Sequence, residues 1–284
     1  MSTPALHRFS HEAMATRFDL TLVHHEAGAA EQAAHAVWDD IDNLEQQLSR
    51  FISWSDIGRL NGSEAGRVVD VSEAAMDCLS YGKEVWEQTS GAFDVTIGPL
   101  YAVLRGPDGG PHRATADELT AAKARCGYHL LDLDAAEFTV TPRADNMQID
   151  LGAIGKGYAL DQAAGLLRER FGITNALLNA GTSTVLGVGS MPEKDGWLVR
   201  AGAPEPFALH DEAVSGTGFQ VKGAHVIDPR TAKLVDLRRT IRWSTAPNAT
   251  LADALSTAFM VMNRKEIAAF CRTYPEVKVI YCES

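Results

Sequence analysis

Hydrophobic residues recur along this chain with two spacings, one typical of strands and one typical of helices. In residues 17–23, Phe18, Leu20 and Leu22 alternate with polar neighbours, which predicts a half-buried strand. In residues 31–48, apolar side chains recur every three or four positions, which predicts an amphipathic helix. The acidic side of that helix is interpreted as a solvated face.

The same two spacings, together with helix-start and turn residues, divide the rest of the chain into short elements. Further helices are predicted over residues 72–88, 115–126, 161–171, 251–262 and 266–274. Further strands are predicted over residues 92–99, 129–133, 138–141, 147–150, 176–181, 184–188, 197–201, 225–228 and 277–281. Strands and helices are mixed without a regular βαβ alternation, which predicts an α+β protein. Because no linker or repeat divides the sequence, residues 1–284 are expected to form one domain.

The composition is that of a soluble globular protein. Hydrophobic residues make up 45% of the 284 residues and charged residues 22%. The net charge of −11, from 26 basic and 37 acidic residues, argues against nucleic acid or an anionic membrane as the main partner. An anionic ligand would therefore need a local positive group or a bound cation.

Neither targeting signals nor the cysteines indicate a particular function. No apolar run approaches the length of a transmembrane span, and no signal peptide is visible, so a cytoplasmic location is expected for the sequence as given. A processed chain would be expected in the periplasm. The four cysteines are far apart, which favours free thiols over a disulfide framework or a zinc site.

A glycine-rich turn with one lysine carries the clearest chemical signal. Gly155, Lys156 and Gly157 lie between a predicted strand and a predicted helix. Glycine lets the backbone approach a ligand, and a lysine beside the free N–H groups of a helix N-terminus attracts anions. The spacing fits neither a P-loop nor a dinucleotide-binding pattern. The turn predicts a site for phosphate or another anion, and a tight turn with a solvated lysine is the alternative.

Two other places carry candidate chemistry. Asp253 and Thr257 are four residues apart on one face of a predicted helix, where their oxygen atoms could bind a hard cation. The structural alternative is a helix N-cap at Thr250 with Asp253 in its first turn. His225, three residues before Asp228, is a candidate general base or a structural hydrogen-bond donor.

A polar connector at residues 49–61 contains Phe51 and Trp54. Aromatic side chains in a loop either fill the core or stack on a flat ligand. Core filling is the commoner case and is the expectation here.

Five segments resemble one family when they are taken together. They are residues 49–61 (SRFISWSDIGRLN), 90–99 (SGAFDVTIGP), 150–161 (DLGAIGKGYALD), 225–231 (HVIDPRT) and 252–258 (ADALSTA). Each segment is a weak signal alone. Their order and spacing resemble the ApbE family of FAD:protein FMN transferases over roughly residues 9–284.

The resemblance implies a T-fold-like α+β architecture with mixed or antiparallel sheets and packed helices. It implies Mg²⁺-dependent transfer of FMN from FAD to a Thr or Ser hydroxyl of a partner flavoprotein, with release of AMP. The FAD-binding residues that it implies are Met14, Phe51, Ala92, Phe93, Asp94, Lys156 and His225. The metal ligands that it implies are the carbonyl of Gly155 and the side chains of Asp253 and Thr257, and the implied catalytic residues are His225 and Asp228.

The chain departs from the family pattern at a few positions. Phe51 stands where a tyrosine is usual, and Gly155 where an alanine is common. Gly181, Thr182 and Ser183 replace a Gly-Gly-Asp sequence, and residues 215–224 lack the usual tyrosine-rich segment. The loss of the acid bears on metal binding or acceptor docking.

Two other functions fit the same residues. A Mg²⁺-dependent FAD pyrophosphatase would use water in place of the protein hydroxyl and would release FMN and AMP. An FAD-binding protein would hold the dinucleotide without chemistry.

Overall fold

A computed structural model describes residues 4–106, 110–201, 205–217, 226–235 and 241–282, and the structural statements below concern that part of the chain. The strands are β1 (Ala5–Ala13), β2 (Thr16–His24), β3 (Val69–Asp70), β4 (Leu131–Asp134), β5 (Thr139–Pro142), β6 (Ala176–Ala180), β7 (Thr184–Val188), β8 (Trp197–Val199), β9 (Phe207–Leu209), β10 (Glu212–Thr217), β11 (Ile227–Asp228), β12 (Lys233–Leu234), β13 (Ile241–Ala246) and β14 (Lys278–Cys282). The helices are α1 (Ala27–Leu48), α2 (Asp56–Asn61), α3 (Glu73–Gln88), α4 (Gly98–Leu104), α5 (Ala116–Lys123), α6 (Gly155–Phe171), α7 (Ala249–Val261) and α8 (Arg264–Thr273).

A seven-stranded antiparallel sheet organises the chain. Its strand order is β1-β2-β6-β7-β10-β13-β14, and smaller sheets join β3-β5-β4, β8-β9 and β11-β12. Helices α1, α6 and α7 pack on the large sheet, and α6 also packs against α1 and against α7. Phe18, Leu20 and Leu22 of β2 are buried at this interface, as their alternation predicts.

The α+β prediction is confirmed by this combination of antiparallel sheets and packed helices. Helices α3 and α5 begin where the sequence predicts, after Ser72 and Thr115 respectively. The Ser72 side chain accepts a hydrogen bond from the first turn of α3, and Thr115 and Glu118 form a capping box at α5. Within the described ranges, no helix has the length and apolar character needed to cross a membrane.

Two predicted strands are wrong. Residues 92–96 form no strand, because Asp94 turns the chain by accepting hydrogen bonds from the backbone and side chain of Thr96, and α4 follows at Gly98. Residues 147–150 form no ladder, because their backbone groups bond to separate partners, among them the amide of Asn61. Both segments are short and apolar, a pattern that buried irregular backbone shares with strands.

The hairpin between β1 and β2 has an unusual turn. Ala13 pairs with Thr16, so Met14 and Ala15 form a two-residue loop, and both have positive φ, at 49° and 55°. Such turns favour Asn and Gly, because a side chain crowds the backbone in this conformation. The backbone N–H of Met14 donates to the Glu45 carboxylate at 2.8 Å, which ties the turn to α1.

A buried phenol gives a test of the packing. The Tyr128 hydroxyl is buried beside Gly82 and has no hydrogen-bond partner among the described residues, and burial raises its pKa well above the ordinary value. An unsatisfied buried hydroxyl costs about 1–3 kcal/mol. We therefore expect Tyr128→Phe to raise the free energy of unfolding by about 1 kcal/mol in urea denaturation.

Tyr158→Phe is the matched control. The Tyr158 hydroxyl donates to the Asp77 carboxylate at 2.9 Å, so its loss should lower the free energy of unfolding by about 1.5–3 kcal/mol. A Tyr128→Phe variant destabilised as much as Tyr158→Phe would show that the Tyr128 hydroxyl has a partner.

Candidate active site

The first turns of α6 and α7 meet at a glycine. A Cβ atom added to Gly157 would lie 2.2 Å from the carbonyl oxygen of Ala249 and 2.9 Å from the Cβ of Asp253. Any side chain at this position would force the two helices apart. The close approach that glycine permits is therefore made here to another helix of the same chain.

A carboxylate of α6 caps α7. Asp161 accepts hydrogen bonds from the backbone N–H groups of Ala249 and Thr250 at 2.8 Å and from the Thr250 hydroxyl at 2.5 Å. Burial raises the pKa of Asp161, and these hydrogen bonds oppose that shift. The N-cap of α7 is Asn248, so the expected alternative of an N-cap at Thr250 is wrong. Asp253 lies beyond the first turn and does not cap the helix.

The Asp253 carboxylate is buried between α6 and the sheet, with 4% of the residue exposed. Its Oδ2 accepts hydrogen bonds at 3.2 Å from the Lys156 ammonium and the Gly157 backbone N–H. Its Oδ1 accepts at 3.3 Å from the hydroxyls of Thr184 and Ser215. All four distances exceed the 2.7–2.9 Å that is usual for hydrogen bonds to a charged group. These four donors surround the carboxylate from the α6 side and from the sheet.

Lys156 is largely withdrawn from solvent. Its side chain is 20% exposed, and its ammonium also donates to the carbonyl of Gly152 at 2.9 Å. The alternative of a solvated lysine is therefore wrong. Lys156 places a full positive charge at the N-terminus of α6, where an anion is favoured.

Further hydroxyl groups lie on the next turn of α7 after Asp253 and on β10. The Thr257 hydroxyl lies 3.2 Å from that of Thr217, and the Ser256 hydroxyl lies 2.8 Å from the same group. Gly155 is buried at the start of α6. The described residues include no group of three or more His, Cys, Asp or Glu side chains that could hold a metal. A metal here would use one carboxylate with hydroxyl and carbonyl oxygens, and this donor set fits a hard cation such as Mg²⁺.

The loop before α2 presents aromatic side chains to solvent. Phe51 is 83% exposed and Trp54 is 72% exposed, so the expectation that they fill the core is wrong. The Arg50 guanidinium lies 4.4 Å from the centre of the Phe51 ring and 3.2 Å from the Asp150 carboxylate. Asp150 accepts from the backbone N–H of Gly152, whose carbonyl binds Lys156, so this loop is linked to the Asp253 cluster.

The expected FAD-binding segment at Ala92, Phe93 and Asp94 is buried. Burial raises the pKa of the Asp94 carboxyl, and its hydrogen bonds from Thr96 oppose that shift. The Thr96 hydroxyl also accepts from the backbone N–H of Gly127 at 2.5 Å. These side chains form the packed support beneath the surface and leave little area for direct contact with a ligand.

Met14 lies at the same end of the large sheet as the departure at residues 181–183. A Cβ atom added to Gly181 would lie 2.4 Å from the Thr16 hydroxyl, so the turn after β6 adjoins the β1–β2 turn. The Ser183 carbonyl accepts a hydrogen bond from Gly216 of β10, and the next residue, Thr184, reaches Asp253. The turn that carries Ser183 therefore borders the cluster, and the turn that carries Met14 adjoins that turn.

Of the two expected catalytic residues, His225 lies outside the described residues and Asp228 lies within them. The Asp228 carboxylate accepts hydrogen bonds from the backbone and the guanidinium of Arg230, and that guanidinium also donates to Glu266 at 2.9 Å. The hydrogen bonds from Arg230 to Asp228 raise the pKa of the guanidinium. Asp228 therefore belongs to an ion-pair network between β11 and α8.

Sequence reasoning missed Thr184 and Ser215, which contact Asp253, and the helix-capping role of Asp161. Thr184 and Ser215 stand on strands at inward positions where an apolar side chain is expected. For Thr184, in the strand predicted over residues 184–188, that mismatch between polar type and inward position is the signal that could have found it. Ser215 lies outside every predicted strand, so the sequence pattern offered no such signal there.

Comparisons with known proteins agree with this architecture. The model of the ApbE family matches residues 14–281. The FAD:protein FMN transferase of Salmonella typhimurium is 27% identical, over 93% of this chain and 81% of its own length. The FAD:protein FMN transferase of Klebsiella pneumoniae is 28% identical, over 88% of this chain and 76% of its own length.

Solved structures share the fold. The ApbE flavin transferase of Vibrio cholerae superposes with a TM-score of 0.85 and 22% identity, over 98% of this chain and 94% of its own. The apo flavinyl transferase ApbE of Pseudomonas stutzeri superposes with a TM-score of 0.87 and 23% identity, over 99% and 92%. The family resemblance of the sequence motifs is confirmed, and this chain belongs to the ApbE family.

Proposed function

We propose that this protein is an FAD:protein FMN transferase that uses Mg²⁺ and modifies a Thr or Ser hydroxyl of a partner flavoprotein. Membership of the ApbE family and the names of its relatives support flavin transfer. The use of Mg²⁺ and the Thr or Ser acceptor are proposed in addition to flavin transfer.

The observation that carries the proposal is the buried Asp253 carboxylate beside Lys156, with a nitrogen–oxygen distance of 3.2 Å. The diphosphate of FAD carries two negative charges and must approach a protein of net charge −11. Lys156 and the helix N-terminus supply local positive potential for this anion. Asp253 supplies the negative group that a divalent cation needs.

The metal would be held by Asp253, the Thr257 hydroxyl and the Gly155 carbonyl. When bound, Mg²⁺ supplies charge neutralisation for the diphosphate and for the departing phosphate oxygen. Lys156 would orient the diphosphate, and the exposed Phe51 offers a flat face on which a ring of FAD could stack.

The reaction exchanges the phosphoanhydride linkage of FAD for a phosphoester linkage to the acceptor. The acceptor oxygen forms a bond to the phosphorus of the FMN half of FAD, and the bond from that phosphorus to the bridging oxygen breaks. AMP leaves with the bridging oxygen, and the hydroxyl proton passes to a general base. His225 is proposed as that base, and Asp228 is proposed to support it.

Incubation with FAD, MgCl₂ and proteins of the source organism tests the activity directly. Transfer yields a fluorescent protein band, and tandem mass spectrometry identifies the modified Thr or Ser. Free FMN with AMP and no labelled protein would identify a pyrophosphatase instead. Unchanged FAD that is bound to the protein would leave a binding role.

A further prediction concerns the proposed metal ligand, Asp253. Asp253→Asn keeps the shape of the side chain but removes the charge, so we expect FMN transfer to fall at least about 100-fold, since metal catalysis contributes several kcal/mol. Circular dichroism should show a folded protein. Asp211→Asn, at a half-exposed carboxylate paired with Arg168, is the control and should keep the wild-type rate. Full Mg²⁺-dependent turnover by Asp253→Asn would refute the metal assignment.

Another prediction concerns the proposed general base, His225. His225→Ala should slow transfer about 10²–10⁴-fold at saturating FAD while FAD affinity changes little, because a general base acts on the incoming hydroxyl. The base must be neutral, so the wild-type rate should fall as pH drops below about 6.5. The rate should be measured against pH for the wild type, for His225→Ala and for His210→Ala, an exposed histidine near Ser190. A rate loss explained wholly by weaker FAD binding would show that His225 contributes to FAD binding and is not the general base.

A further inference from the structure

A row of polar side chains crosses the otherwise apolar interface between α7 and the large sheet. The helix contributes Asp253, Ser256 and Thr257, and the strands contribute Thr184, Ser215, Thr217 and Ser244. Thr184, Ser215 and Ser244 are each 0% exposed. Buried hydroxyls are costly unless they are hydrogen-bonded, so a row of them beneath one helix needs an explanation.

Strand register builds this row. Ser215 of β10 stands directly opposite Thr184 of β7 on one side and Ser244 of β13 on the other. Three hydroxyls on adjacent strands therefore face α7 at the same level. Ser244 donates to the carbonyl of Ala252 at 2.6 Å, whereas Thr184 and Ser215 both reach the Asp253 carboxylate.

Both hydroxyls at Asp253 can donate to its carboxylate. Thr184 and Ser215 lie 2.9 Å from each other, and each lies 3.3 Å from Oδ1 of Asp253. Each hydroxyl carries one proton, and a carboxylate oxygen can accept both. The contact between the two hydroxyl oxygens keeps the pair together on the sheet side of Oδ1.

We propose that Thr184 and Ser215 are positioning residues that hold the Asp253 carboxylate in place for the divalent cation. This inference rests on the proposed function, in which Asp253 binds the metal. The hydroxyl pair engages Oδ1 from the sheet side, while Oδ2 meets Lys156 and Gly157 on the α6 side. Because both hydroxyls are fully buried, they act on the metal through Asp253.

The proposal predicts weaker metal binding without the hydroxyls. Outer-shell partners of a metal ligand typically contribute 10–100-fold to metal affinity. We expect Thr184→Val and Ser215→Ala each to raise the Kd for Mn²⁺ about 10-fold or more, with Mg²⁺ competing at the same site. The measurement is a titration of the full chain with MnCl₂, with free Mn²⁺ followed by electron paramagnetic resonance and displaced by MgCl₂.

The double variant adds a sharper expectation. Because each hydroxyl can itself donate to Oδ1, the Thr184→Val, Ser215→Ala double variant should bind Mn²⁺ more weakly than either single variant. Thr184→Ser keeps the hydroxyl and should restore affinity close to that of the wild type.

Ser244→Ala is the matched control. Its hydroxyl lies in the same buried row but bonds to the Ala252 carbonyl, so its loss should lower the melting temperature and leave the Kd for Mn²⁺ unchanged. Equal Kd values for Thr184→Val, Ser215→Ala and the wild type would overturn the inference. An increase in Kd for Ser244→Ala as large as theirs would overturn it too, because the effect would then be general destabilisation.

FMN transfer measured in parallel separates this inference from the proposed function. A wild type that binds Mn²⁺ but transfers no FMN refutes the proposed function and leaves the Kd comparison valid. A wild type that transfers FMN while the variants bind Mn²⁺ normally refutes the positioning role alone. A wild type that binds neither cation refutes the inference together with the metal assignment.

Discussion

The burial of the Asp253 carboxylate is the interaction on which the rest of the site depends. An uncompensated charge in a protein interior costs several kcal/mol, so the chain must bring donors to it from every side. Lys156 and Gly157 come from α6, and Thr184 and Ser215 come from two strands of the sheet. One carboxylate thereby fixes how α6, α7 and the sheet lie relative to one another.

Elements with strong local signals could be predicted from the sequence. The alternation in β2, the helical spacing in α1 and the capping box of α5 are each encoded within a few residues, and the structure contains all three. Strand β1 escaped prediction because it lies at the edge of the sheet and buries little of its length. The strand predicted over residues 92–99 does not form, because an Asp–Thr hydrogen bond turns the chain there and α4 follows. The hydrophobic pattern does not report such a hydrogen bond.

The candidate site was predictable to the extent that its residues are close in sequence or share a known motif. Lys156 and Asp253 were found in this way, and the structure brings them into contact across 97 positions of chain. The contribution of Thr184 and Ser215 arises from cross-strand register, which no single segment contains. The exposure of Phe51 was mispredicted because a loop sequence does not record whether the loop folds inward.

The turn at Met14 and Ala15 combines a strained backbone with a long side chain. An Asn-Gly pair would adopt the two positive φ angles with less strain, but it would place no long, flexible side chain at this end of the sheet. Strained backbone of this kind persists only where surrounding contacts hold it, and the Glu45 carboxylate does so here. A more stable version of this protein could thus be made by replacing Met14 and Ala15, and it would lose the Met14 side chain.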